Sequence, residues 1–276
     1  MSPDTDPSDT PHTAGDHGAG DSHDHASHSA DSAGLPWEGR RFEPNAHAAD
    51  DGSGDPALLS ALEMFQRGEG GAAAVVDAYR AARLLIPLVA EKGDEGVGAH
   101  GLKVDKTQEL SIVTVAAPDG RTVLPVFTSV ATLARWDAAA RPVPADGVRT
   151  ALAASADDTD LIVVDPGSDT EFVIRRPAVW AIAQGIPWEP AHTSPEVFLG
   201  LQHSVSGELA VLDLAVESGD PLSRLRGPEL VVRLELIHGL DQDELDAVLS
   251  RLAKRWASDD RIAVLVDSLT VKLIRA

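Results

Sequence analysis

Leu58, Leu59, Leu62 and Phe65 fall on one face at helical spacing. Asp55 ahead of them can cap, and Pro56 fits the first turn, so a helix is predicted up to the glycines Gly68, Gly70 and Gly71. Residues 72–83 read as a second helix. The apolar run 84–89 reads as a strand, and Pro87, which donates nothing to a ladder, favours an edge position. Residues 92–106 form a Gly-rich, charged loop. Apolar residues alternate along 110–117, Pro118-Asp119-Gly120 turns, and 121–127 returns as the second strand of a hairpin. Thr128 or Ser129 caps a helix ending near Trp136, Arg141-Pro142-Val143-Pro144 is a rigid connector, and a further helix spans 146–154. Two short apolar strands, 161–164 and 172–174, flank the turn at Pro166-Gly167-Ser168-Asp169. The next helix has Pro177 at its start and Gly185 past its end.

Three prolines, Pro187, Pro190 and Pro195, mark a boundary between residues 186 and 195. A helix follows from Ser194-Pro195-Glu196, with Val197, Phe198, Leu201 and Val205 inward. Residues 209–216 and 230–237 are strands, the second placing Leu230, Val232, Leu234 and Leu236 on one face. Asp241 opens a long helix with Leu245, Leu249, Leu252 and Trp256 at helical spacing, acids in its first turn and Lys254-Arg255 in its last. Residues 268–275 close as a strand. The order α-β-β-α-β predicts a two-layer sandwich with its helices on one sheet face.

Composition changes the picture at the N-terminus. Residues 1–34 carry no large apolar side chain between Pro3 and Gly34, so they cannot offset chain entropy and are expected to be a disordered tail. Trp37 and Phe42 are the first aromatic anchors. The net charge is -21, and residues 1–55 hold 12 acidic against two basic residues. A field of that sign repels phosphate backbones and anionic lipid, and the basic pairs are short and isolated, so neither nucleic acid nor membrane is an expected partner. The chain has no cysteine, which removes disulfides, thiolate metal sites and thiol nucleophiles and fits a cytoplasmic protein. It shows no signal-peptide pattern and no apolar run of about 18 residues.

Candidate chemistry is sparse. Gly96-Val97-Gly98-Ala99-His100-Gly101 matches the dinucleotide pattern, but no helical face follows it, so it reads as a loop. Gly20-Asp21-Ser22-His23 lies in the tail, where no rigid turn can hold a nucleophile. His23, His25 and His28, with Asp21 and Asp24, are the candidate metal ligands; binding there would have to order the chain, so they are weighed against a solvating tail. His100, His192, His203 and His238 are scattered, and Asp157, Asp158 and Asp160 read as a solvated turn. Trp136, Trp180, Trp188 and Trp256 read as core.

Leu124-Pro125-Val126-Phe127-Thr128-Ser129, Trp136, Ala140-Arg141-Pro142-Val143-Pro144 and the stretch from Arg176-Pro177-Ala178-Val179-Trp180 to Gly185 resemble the N-terminal domain of the SseB family, as does Trp37-Glu38-Gly39-Arg40. Gly227-Pro228-Glu229-Leu230, Gly239-Leu240-Asp241 and Val266-Asp267-Ser268-Leu269 resemble the end of longer members. The resemblance implies no enzymatic activity, no cofactor and no catalytic residue to carry over. The expectation is an α+β or α/β chain: a tail (1–34), an SseB N-terminal-like domain (35–188) and a small sandwich domain (194–276). Its expected function is a non-enzymatic protein-interaction or regulatory module. Its partner is expected to be another protein, contacted around Thr128, Ser129, Arg141 and Arg176. The alternatives are a small-molecule-binding or enzymatic domain with an unrecognised site, which a concave pocket with convergent polar groups would favour, and metal sequestration by the tail. The oligomeric state is open.

Overall fold

The computed structural model describes residues 50–90, 96–97, 103–104, 110–112, 114–117, 119–156, 159 and 161–275. The tail with His23, His25 and His28, Trp37 and Phe42, His100, and Asp157, Asp158 and Asp160 lie outside the described residues.

The first lobe begins with α1 (Pro56–Gln66), capped by the Asp55 carboxylate on the Ala57 and Leu58 N–H groups, and α2 (Ala72–Ala81). Then come β1 (Arg83–Ala90), the paired β2 (Gly96–Val97) and β3 (Lys103–Val104), β4 (Leu110–Ile112), β5 (Val115–Ala116) and β6 (Thr122–Val126). After them follow α3 (Val130–Trp136), β7 (Arg141–Asp146), α4 (Gly147–Ala156), β8 (Ile162–Val164), β9 (Phe172–Ile174) and α5 (Arg176–Gln184). Apart from the β2–β3 pair, the strands form two sheets, ordered β4-β1-β7 and β5-β6-β8-β9, stitched where Leu85 and Phe127 pair. α1, α2, α4 and α5 cover one face of the second sheet, burying Leu58, Leu62, Val76 and Tyr79 against Leu124, Ile162, Phe172 and Ile174.

Four expectations change here. Within the expected loop 92–106, β2 and β3 pair antiparallel, Gly96 opposite Val104. β1 is central in its sheet, not an edge. Leu85 exchanges both backbone hydrogen bonds with Phe127, at 2.8 and 2.9 Å, so its N–H points away from β7. Pro87 has the same parity, and β4 joins β1 only from Leu88, so its missing donor falls in the interval between two neighbours. The expected connector 141–144 is strand β7: Pro142 and Pro144 sit opposite Pro87 and Leu85, where the strands exchange no bond, and their nitrogens face the open edge. The expected strand 110–117 is divided, β4 pairing with β1 and β5 with β6.

The second lobe holds α6 (Pro195–Val205), β10 (Val211–Ser218), β11 (Leu230–Leu236), α7 (Gln242–Ser258), α8 (Asp260–Leu265) and β12 (Leu269–Arg275). β11 is central, antiparallel to β10 and parallel to β12. Its alternation is as read: Leu230, Val232, Leu234 and Leu236 are buried under the helices. The short α8 was not anticipated. Nor was the exact face of α7, where Val248, Leu252 and Trp256 are buried and Leu245 and Leu249 are half-buried beside them. Trp256 is core, while Trp136, Trp180 and Trp188 are only half-buried.

The two cores are distinct, and one loop ties them. Residues 219–229 leave β10 and return to β11, and the loop closes tightly on itself: a Cβ at Gly219 would strike the Pro228 carbonyl, and one at Gly227 the Gly219 carbonyl. It reaches into the first lobe. The Val173 N–H donates to the Ser223 carbonyl at 2.7 Å, and Leu225 plugs the uncovered face of the first lobe's sheet against Val123, Leu161, Val163 and Val173.

Candidate functional site

The joint between the lobes is ionic as well as apolar. Arg175, just ahead of α5, extends a nearly buried guanidinium into the second lobe. It meets Asp220 at 2.7 Å and Asp267 at 3.0 Å, and also donates to the Gly227 carbonyl and Ser268 Oγ. Arg121, just ahead of β6, meets the other oxygen of Asp267 at 2.8 Å and holds Asp119 at 2.7 Å. The second lobe thus presents carboxylates and the first lobe arginines. Asp220 is satisfied further by the Leu225 N–H, 2.7 Å away. Burial works against the Asp267 charge, but Arg121 and Arg175 outweigh it and hold its carboxyl below the usual range.

Glu229 is the odd member. Its carboxylate accepts the Asp267 N–H at 2.6 Å, while its own N–H donates to Ser268 Oγ at 3.0 Å. Among the described residues no cation lies within ion-pair distance of it. Burial, with the neighbouring Asp267 charge adding to it, pushes Glu229 up to about 7.

Beside this network lies a cleft of ≈ 420 Å³ between the lobes. Phe65, Val76, Phe172 and Trp188 supply apolar wall; Arg175, Asp220, Glu229, His192, Thr193, Ser218 and Ser223 supply polar groups. Phe65 and Phe172 meet edge to face with centroids 5.0 Å apart. The start of α2, Gly71 to Ala73, forms another part of the rim. Burial lowers His192, so its ring is neutral at pH 7. A concave, mixed lining of this size suits a small ligand.

The structure disperses the residues expected from sequence. Thr128 is buried: its N–H and hydroxyl donate to the two oxygens of Asp165 at 2.8 and 2.7 Å, so its side chain offers nothing to a partner. Asp165, fully buried with φ at 47°, also accepts the Thr170 hydroxyl at 2.9 Å. Ser129 caps α3 in a reciprocal box with Thr132. Arg141 is exposed at the start of β7. Arg176 alone sits in a recess, ≈ 320 Å³ in volume, against Trp256, Ile262 and Leu269. Its guanidinium lies 5.3 Å from the Trp180 ring, its Nε has no acceptor, and among the described residues no carboxylate pairs with it.

Sequence reasoning missed Arg175, Asp220, Glu229 and Asp267. Their signal was faint: charges near the ends of apolar strands, of which only Glu229 and Asp267 fall in stretches that carry the family resemblance. Among the described residues no group of His, Asp or Glu is arranged to hold a metal, and no helix is long and apolar enough to cross a membrane.

The fold and joint define an α+β protein in which a larger mixed first lobe is coupled to a small sandwich. Residues 58–181 match the SseB protein N-terminal domain, so the chain carries a domain of the SseB family. The match runs from α1 into α5; the second lobe lies outside it. No curated protein and no solved structure matches the chain.

Proposed function

We propose that the chain is a non-enzymatic, cytoplasmic regulatory module whose ligand site is the cleft between its lobes. The observation that carries this reading is the cleft itself: both lobes line it, and it abuts the Arg175 network that joins them. A ligand there touches both halves, so occupancy changes how firmly they hold together. The test is a thermal melt with and without the small-molecule fraction of a bacterial lysate, on wild type and on Thr193→Trp. Thr193 is exposed on the cleft rim, so an indole there obstructs entry without disturbing a core. A ligand at about 100 times its Kd adds about 2.7 kcal/mol, which raises the midpoint by roughly 5–10 °C. Wild type should gain and the variant should not; equal gains, or none, would reject the cleft.

One observation favours a second reading, a protein-contact surface at the Arg176 recess. An arginine with no carboxylate partner among the described residues, over one tryptophan and beside another, is the composition of an interface anchor. It would take an acidic, apolar segment of another protein.

A further inference from the structure

The charges around the cleft do not balance. Asp220 and Asp267 are matched by Arg175 and Arg121, whereas Glu229 accepts the Asp267 N–H and, among the described residues, is in no ion pair, Arg175 acting on it only from beyond that distance. Glu229 is 8% exposed and lines the cleft. A buried acidic residue that lines a cavity, held by a backbone donor but in no ion pair, is complementary to a cation. An anion has no such site: both terminal nitrogens of Arg175 are committed to Asp220, Asp267, Gly227 and Ser268. Aromatic walls are compatible with a cation, because ring faces attract positive charge, and the net charge of -21 raises the local concentration of cations.

We propose that the cleft takes a small organic cation, its ammonium set against Glu229 and its apolar body between Phe65 and Trp188. The proposal rests on the cleft reading above and names the ligand class. The charged and titratable groups around Glu229 are Asp267, Asp220, Arg175 and His192, with Arg121 behind Asp267. Glu229, its carboxyl raised to about 7, gains charge between pH 6 and 8, while burial of His192 favours its neutral ring. Cation binding therefore strengthens with pH across that window, by roughly tenfold.

The experiment is calorimetric titration of the full chain with 2-phenylethylamine, 2-phenylethanol and 3-phenylpropionate at pH 6 and 8. The amine should bind, the carboxylate should not, and the alcohol should bind at least tenfold more weakly than the amine. Amine affinity should rise from pH 6 to 8, and Glu229→Gln should lose it at least tenfold with the pH dependence gone. Should that variant fail to fold, the three probes and the wild-type pH profile decide alone. Alcohol or carboxylate binding as tightly as the amine, or an amine affinity independent of pH, overturns the cation and leaves the cleft reading standing. Silence from all three overturns both.

Discussion

Glu229 shows how one side chain sets the behaviour of the joint. Its ordinary value is 4.5 and its folded value about 7. Below pH 4.5 both folded and unfolded chains hold the proton and the group contributes no difference. As pH rises to 7 the folded state holds more proton than the unfolded, so stability falls, and above 7 the loss is complete at roughly 3 kcal/mol. Asp267 works the other way: its lowered carboxyl stabilises above 3.8, and that contribution is lost only as pH falls further. His192, lowered by burial, costs stability as pH falls below 6.5. Comparing wild type with Glu229→Gln isolates the first effect. Denaturant melts should show the wild type losing up to about 3 kcal/mol more than the variant between pH 5 and 8. Parallel pH profiles would mean that Glu229 is not strained in the fold. None of this was legible in the sequence. Glu229 there is one acid before an apolar strand, and its raised carboxyl comes first from burial in the folded joint and then from the charge of Asp267, 38 residues away. Ser129 was legible, because a cap acts within its own turn.

At the scale of elements, local signals carried far. The Asp241 box with Glu244, Pro195 at the start of α6 and Gly185 at the end of α5 each depend on neighbours within one turn. What failed depended on partners. Pro142 and Pro144 read as a connector because only the pairing shows that they face an open edge. On α7 Leu252 and Trp256 are buried as the spacing predicts, but Leu249 matches that spacing as well as Val248 does, and packing in the core buries Val248 and leaves Leu249 half-buried. Trp256 fixes that choice by donating its indole N–H to Ser204 Oγ at 2.7 Å. Leu252→Ala should therefore cost roughly 2–5 kcal/mol, and Leu249→Ala only about 1 kcal/mol. Equal losses in urea melts would put the stripe back where spacing alone drew it.

For the whole molecule, the class of fold and the SseB N-terminal domain were visible as pattern and motif. The coupling of the lobes was not, since it is made of contacts 45 to 146 residues apart. The prolines between the lobes say where the chain crosses; Arg175, Arg121 and Leu225 hold the halves across the gap. Arg175→Met leaves Asp220 and part of Asp267 buried without their cation, a change that typically costs about 3–5 kcal/mol. Calorimetry of this variant should show the second-lobe transition shifted down and separated from that of the first lobe; an unchanged trace would mean that the apolar plug at Leu225 suffices. The most direct test of the central claim, a ligand site between the lobes, is hydrogen exchange of the full chain with and without saturating 2-phenylethylamine at pH 8. The account predicts added protection at the cleft: residues 70–76, 172–178, 190–193 and 218–229. Protection confined to the Arg176 recess and residues 253–269, or no change at the cleft while the amine is bound, would contradict it.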